Sequence, residues 1–244
     1  MIYINETSSM KEHSTNNSVQ NTCYGLSVSY DVFAEPEYGS SGDVVLDYHK
    51  AKLRTHVDSL INEVDEINRK GTPTGFLCIM ALIAYLAELV YGDTEGKTGD
   101  KPGLDKAKEN GEHFQSFLRE KMSNGCRNYG GIACDLYRQV RNGLMHCYML
   151  FDQQKSPRKI ALTHSSEYAA ATKSGEPTKF RRVELPNGKT VTVIRADDLI
   201  SDIRHAVDSI FSDEQVVSRM IEFTRTHPPV VGILNEECKL QLPR

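Results

Sequence analysis

Residues Phe76–Tyr91 read FLCIMALIAYLAELVY, the longest apolar run in the chain, with Glu88 as its only charged residue. A membrane-spanning helix needs about 20 apolar residues, so this run predicts a helix buried in a bundle and no membrane span. A carboxylate on a buried helix needs a partner such as an arginine, unless it reaches solvent. Because Glu88 lies near the end of the run, we expect its carboxylate to reach solvent.

The segment before this run predicts a second long helix. Between Asp43 and Lys70, apolar residues recur at helical spacing, which indicates one buried stripe. Gly71 and Pro73 end that helix, and the next begins at about Thr74, so the two predict a helical hairpin. The predicted stripe consists of Leu46, Leu53, Val57, Leu60, Val64 and Ile67.

A loop and a third helix follow the apolar run. Gly92–Gly103 contains four glycines and a proline, which is typical of a loop. Its GDTEGKT sequence lacks the glycine spacing of a phosphate loop, so we predict no nucleotide site there. Leu104–Met122 predicts an amphipathic helix whose inner side carries Phe114, Phe117 and Leu118.

The second half of the chain changes character. Lys159–His164 and Lys179–Asp198 are rich in β-forming residues, and Pro186–Lys189 (PNGK) is a strong hairpin signal. These runs predict a small antiparallel β-meander inserted at about residues 157–196. Arg181 and Arg182 are interpreted as charges on an exposed strand edge.

Two closing helices are predicted after the inserted strands. Asp197 or Asp198 would cap the first, and the second would cover about residues 213–226. The inner face of the first carries Leu199, Ile203, Ala206 and Ile210. The expected fold class is mainly α, a helical bundle of about five to six helices with the small β insertion.

Composition and charge limit the function further. The chain has 244 residues with 39% hydrophobic residues and a net charge of −4, so any nucleic-acid contact must be local. Residues 1–42 are expected to form a flexible arm, residues 43–226 the domain and residues 227–244 a tail.

Six cysteines without a CxxC pair, and an N-terminus without a secretory pattern, predict a cytoplasmic protein.

The residues with the most chemical potential lie in Cys134–Phe151 (CDLYRQVRNGLMHCYMLF). On a regular helix, Asp135, Arg138, Asn142 and His146 fall on one polar stripe. Arg141 would point about 140° away from His146. Arginine can bind phosphate and histidine can transfer protons near neutral pH.

Four potential metal ligands lie in or near the same segment. A zinc site from Cys126, Cys134, His146 and Cys147 matches no usual ligand spacing, so we predict neither a metal nor another cofactor.

The run from Tyr137 to His146 (YRQVRNGLMH) resembles the signature of the HEPN superfamily of helical bundles, an arginine and a polar residue followed by a histidine after four to six intervening residues. Two long helices precede the motif helix, as in that family, and the resemblance covers about residues 43–225. It implies a metal-independent endoribonuclease in prokaryotic defence, stress response or RNA processing. Arg141 and His146 would be catalytic, Asn142 the adjacent polar residue, and the chain a homodimer with apposed motif helices.

That arrangement makes chemical sense, because attack of a ribose 2′-oxygen on the adjacent phosphate needs both a base and an acid. Two copies of His146 in one dimer cleft could supply both, with Arg141 stabilising the phosphorane. RNA is the expected substrate, and Arg138 and Asp135 are expected to support the site or bind the RNA. An antitoxin protein is a further partner consistent with the resemblance. Two alternatives remain open: a non-catalytic module that binds RNA, a nucleotide or a protein, and a structural dimer in which the polar stripe fixes helix register.

Overall fold

The structure is a computed structural model that describes residues 42–93, 103–123, 127–147, 159–166, 180–186 and 188–227. For residues 42–45, 103–107 and 145–147 it describes the backbone alone. Within these ranges the chain forms six helices and a sheet of three strands, so the mainly α prediction with a small β insertion is confirmed. The predicted arm falls almost wholly outside the described residues, as does the tail beyond residue 227.

The first two helices form the expected hairpin. Helix α1 is Gly42–Asn68 and helix α2 is Pro73–Tyr91. Gly71 between them has φ of 65°, a left-handed conformation that glycine adopts without steric cost. Pro73 occupies the first position of α2, where a missing N–H leaves no hydrogen bond unmade.

The buried face of α1 differs from the predicted stripe. Leu46 is 37% exposed, and the side chains that reach the core include Leu53, Val57 and Ile61. Leu53, Val57 and Ile61 are four residues apart and therefore lie on one face of the helix. The predicted stripe did not include Ile61. Leu46 is exposed because it lies one turn before the part of α1 that the other helices cover.

Helix α2 is the centre of the bundle, as its sequence predicts. It is the one described helix long and apolar enough to cross a membrane by length and composition, and 56% of its most apolar window is buried inside the protein. It contacts each of the other five described helices. The apolar run is therefore the helix around which the others pack.

Helices α3 and α4 both contain wider, π-helical turns. Helix α3 is Gly103–Ser116 and continues into the π-helical segment Phe117–Met122, where the predicted inner residues Phe117 and Leu118 are fully buried. Helix α4 consists of Ala133–Asp135, the π-helical segment Leu136–Arg141, and Asn142–Cys147. The sequence predicted regular helices at both places.

The sheet is mixed, so the antiparallel meander expected from the sequence is wrong in one pairing. Strands β1 (Ile160–Thr163), β2 (Arg181–Glu184) and β3 (Thr190–Arg195) have the order β1-β3-β2. Strands β2 and β3 form the predicted antiparallel hairpin, whereas β1 pairs with β3 in parallel. The central position places β3, the strand with the most buried residues, between the other two strands. Arg181 and Arg182 lie exposed on edge strand β2, as expected.

Helices α5 (Ala196–Phe211) and α6 (Glu214–Thr226) close the bundle. Asp213 caps α6, since its Oδ1 accepts hydrogen bonds from the backbone of residues 215 and 216. The predicted cap of α5 is wrong: Arg195 occupies the cap position without a side-chain cap bond, and Asp197 and Asp198 lie in the first turn. The two carboxylates bind other side chains instead.

Candidate functional site

The motif segment lies in a helix that widens just before the motif. Leu136–Arg141 is π-helical, so its hydrogen bonds join residues five apart rather than four. The segment ends at Arg141, and Asn142–Cys147 returns to α-helix. Such π turns occur frequently at functional sites. The predicted stripe assumed a regular helix and therefore misplaced the residues before Arg141 relative to those after it.

Arg141 is half-buried and held on two sides. Its Nη1 donates a hydrogen bond of 3.0 Å to Oδ1 of Asn142, and its guanidinium carbon lies 5.5 Å from the ring centre of Tyr137. None of the ion pairs among the described residues includes Arg141. The guanidinium is thus positioned, and no carboxylate among the described residues lies within ion-pair distance of it.

The other members of the predicted stripe do not join into a network. Asp135 lies 3.5 Å from Nζ of Lys159, at the start of β1, and Arg138 is exposed to solvent. Asn142 binds its neighbour Arg141 instead of the acidic end of the stripe. Among the described side chains, the buried network that would fix helix register is therefore absent.

His146 lies in the last described turn of α4, five residues after Arg141. Its side chain, like those of Met145 and Cys147, is outside the described residues. The spatial relation between Arg141 and the imidazole therefore stays a prediction. The side chains of Cys126, His146 and Cys147, three of the four possible zinc ligands, lie outside the described residues. No group of three or more potential metal ligands comes together among the residues described.

Arg141 lines a half-open cavity of about 190 Å³ between α2, α3 and α4. Three of its lining side chains are aromatic, and Glu88 and Asn110 add polar groups. The aromatic residues are Tyr85, Phe114 and Tyr137. Burial raises the pKa of Tyr85 to about 12, because the phenolate is poorly solvated there. The cavity thus combines a cation, a carboxylate, an amide and three rings.

Glu88 has a partner that the sequence did not predict. Its Oε1 lies 3.1 Å from Nδ1 of His113 on α3, and the carboxylate remains about one-third exposed. It therefore reaches solvent, as expected, and contacts a titratable ring as well. The sequence contains a clue to this contact. A carboxylate on the most apolar helix has to face a helix that packs against it, and His113 directly precedes the core residue Phe114 on such a helix.

A second polar cluster joins the loop before α4 to helix α5. Nη1 of Arg127 lies 2.7 Å from both oxygens of Asp202, and the Tyr129 hydroxyl donates to Oδ2 at 2.6 Å. Burial, followed by the charge of Asp202, raises the pKa of Tyr129 well above its usual value. Asp202 falls at helical spacing between the predicted inner residues Leu199 and Ala206, which is the signal that could have revealed it. The cluster is buried and connects core elements.

Asp198 and Asp197 extend this cluster to the carboxyl ends of β1 and β3. Asp198 lies 3.2 Å from Arg127, and burial raises its pKa despite that cation. Asp197 accepts a hydrogen bond of 3.0 Å from Nδ2 of Asn68, at the end of α1. These contacts replace the helix cap that the sequence predicted.

His164 lies beside that end of the sheet. Its ring centre is 4.8 Å from that of Phe76, and burial lowers the pKa of the imidazole. Its Nε2 has no hydrogen-bond partner among the described residues. The lowered pKa favours the neutral form of this partly buried ring, which packs against Phe76.

Comparison with family models, with curated proteins and with solved structures finds no match to this chain.

Proposed function

We propose that the chain is a metal-independent endoribonuclease of the HEPN type, acting on RNA in the cytoplasm as a homodimer. Arg141 and His146 are its catalytic residues, and Asn142 positions Arg141. Arg138, exposed on the same helix, contacts the RNA backbone, whereas Asp135 pairs with Lys159 and supports the start of the helix.

The proposal is supported by the surroundings of Arg141, which orient its guanidinium without an ion pair among the described residues. A guanidinium that already has a carboxylate partner is a poor phosphate ligand, because the phosphate must displace that partner. Arg141 is instead oriented by an amide oxygen and an aromatic ring, and it lines an open cavity. A planar, permanently charged donor held in this way matches the geometry of a phosphate.

The proposed reaction needs two proton transfers. One His146 imidazole takes the proton of the ribose 2′-hydroxyl while the 2′-oxygen attacks the phosphorus. The second copy protonates the 5′-oxygen as its bond to phosphorus breaks, leaving a 2′,3′-cyclic phosphate and a 5′-hydroxyl. A two-fold dimer supplies both copies, since the same surface of each chain meets at its interface. Arg141 stabilises the additional negative charge on the phosphorane.

The decisive experiment is RNA cleavage by the purified full chain in EDTA, with analysis of the product ends. We expect 2′,3′-cyclic phosphates from the unaltered protein and a loss of about 10²- to 10⁴-fold in rate for His146→Ala. The exposed His205 on α5 provides the matched control, and His205→Ala should cleave at the original rate.

Three results would change the conclusion. Full activity of His146→Ala would remove that residue from the mechanism. Cleavage that yields other ends would exclude attack by the 2′-oxygen. RNA binding without any turnover by the unaltered protein would favour the non-catalytic binding module.

A further inference from the structure

The cavity beside Arg141 has the size of a single planar ring system. An apolar cavity of about 150 Å³ is known to accommodate one benzene molecule. The present cavity, at about 190 Å³, is somewhat larger and open on one side. A ligand could therefore insert one flat heterocycle while the rest of the molecule remains outside.

The wall of the cavity favours stacking. Tyr85, Phe114 and Tyr137 contribute three rings from three different helices. Aromatic side chains are the usual platforms for unstacked nucleobases, because every base presents a flat π-face.

An aromatic wall with a carboxylate could also suit a quaternary ammonium group. Here the face of Tyr137 already carries the Arg141 guanidinium at 5.5 Å, and that positive charge would repel a second cation. The electrostatics therefore favour a neutral heterocycle attached to an anionic group.

The polar groups distinguish among the bases. Glu88 presents a carboxylate that only accepts hydrogen bonds, and His113 holds its Oε1 at 3.1 Å, which restricts the direction in which the group points. Guanine is the RNA base with two adjacent N–H donors on one edge, from N1 and the 2-amino group. The amide of Asn110, on the same wall, can donate to a base acceptor such as O6 or N7.

We propose that this cavity is a guanine-binding pocket, in which Glu88 reads the N1–H and 2-amino edge while Arg141 contacts the attached phosphate. The inference deepens the proposed function and rests on it only for the role of the bound nucleotide as part of an RNA substrate. Base binding itself does not depend on cleavage.

Calorimetric titration of the full chain with GMP, IMP, AMP, CMP and UMP tests the pocket directly. IMP is the matched ligand, because it differs from GMP only in lacking the 2-amino group. We expect GMP to bind roughly 10-fold more tightly than IMP and more tightly still than the other three. Equal affinity for all five nucleotides, or no binding of any, would overturn the proposal. This comparison uses the unaltered protein and so does not depend on how a variant folds.

Glu88→Gln should weaken GMP binding roughly 10- to 100-fold, because the amide loses one of the two acceptor oxygens. Glu112→Gln is the control, since Glu112 is an exposed carboxylate on α3 that does not line the cavity. If Glu88→Gln binds GMP as tightly as the unaltered protein, the assignment of Glu88 is wrong.

Sequencing of cleaved RNA ends separates the two proposals. Cleavage enriched beside guanosine, and less selective in Glu88→Gln, supports the pocket. His146-dependent cleavage without any base preference, together with no GMP binding, would overturn the pocket and leave the nuclease intact. GMP binding that depends on Glu88 in a chain that never cleaves RNA would overturn the nuclease and leave the pocket intact.

Discussion

The hydroxyl group of Tyr129 lies 2.6 Å from Oδ2 of Asp202 and donates a hydrogen bond to it. The same carboxylate binds Nη1 of Arg127 through both oxygens at 2.7 Å. Asp202 is 2% exposed, so its charge is compensated almost entirely by these two side chains. The contact anchors the loop before the motif helix to α5.

Removing the Asp202 charge should destabilise the protein strongly. Asp202→Asn leaves Arg127 with a much weaker partner, and breaking a buried pair in this way costs about 3–5 kcal/mol. We expect about 3 kcal/mol, because Asp198 remains 3.2 Å from Arg127. Urea unfolding measures the free energy.

The control is Asp208→Asn, which breaks an exposed pair between Asp208 and Arg54. Exposed pairs contribute about 0–1 kcal/mol. If both variants lose the same stability, the Asp202 cluster does not anchor the loop.

Arg141→Lys should impair RNA cleavage while leaving the fold intact. Lysine keeps the charge but lacks the planar set of donors and the stacking on Tyr137, so we expect a loss on the order of 10²-fold in kcat/KM. The unfolding midpoint should change little, since Arg141 has no ion pair among the described residues.

The matched control is Arg119→Lys, which makes the same substitution at an exposed arginine. Arg119 is exposed on the π-helical part of α3 and binds only Gln115 among the residues described. Full activity of Arg141→Lys would show that any positive charge suffices at that position.

Gly111→Ala should disturb the site more than the fold. A Cβ at Gly111 would lie 2.8 Å from the Tyr137 ring. Alanine gains about 1 kcal/mol of helix propensity, whereas overpacking costs about 1–3 kcal/mol, so the net destabilisation is at most about 2 kcal/mol. The displaced ring can no longer support Arg141, and cleavage should fall about 10- to 100-fold.

Gly131→Ala tests whether any added methyl group has this effect. A Cβ at Gly131 meets nothing within 4 Å, so activity should be unchanged. Unaltered activity of Gly111→Ala would mean that the Tyr137 ring does not position Arg141.

Stability should fall as the pH is lowered from 7 because of two partly buried imidazoles. Burial lowers the pKa values of His164 and His56 from 6.5, so between those lowered values and 6.5 the unfolded chain binds more protons than the native protein. The free energy of unfolding therefore rises with pH in that window. His164→Gln and His56→Gln should each flatten the dependence measured by urea unfolding at pH 5 to 7. A slope that neither substitution reduces would contradict the lowered pKa values of these two rings.

The parts of the fold that follow from local sequence pattern were predictable. The apolar run of α2, the glycine and proline at Gly71 and Pro73, and the PNGK turn each indicate structure through steric or burial preferences that act within a few residues. The parallel pairing of β1 with β3 was not predictable in this way, because it depends on which strand takes the central position in the sheet. Local patterns carry no information about that choice.

The candidate site was likewise only partly predictable from local sequence. Arg141 and Asn142 could be found from spacing, and they are adjacent in the structure. The contributions of Asn110 and His113 come from another helix and depend on how α3 packs against α2. The π-helical segment also escaped prediction, since no residue in LYRQVR prevents a regular helix. The physical reason is that tertiary packing, rather than propensity, determines such local widening.

The π-helical turn Leu136–Arg141 has a consequence for insertions and deletions in this helix. A regular helix rotates by about 100° for each residue, so removing one residue from the turn and restoring α-helical bonding would rotate Asn142–Cys147 by about that angle relative to Ala133–Asp135. The direction in which residues 142–147 face is therefore determined by the length of the preceding segment. A single-residue deletion there would reorient this half of the helix without changing any of its side chains.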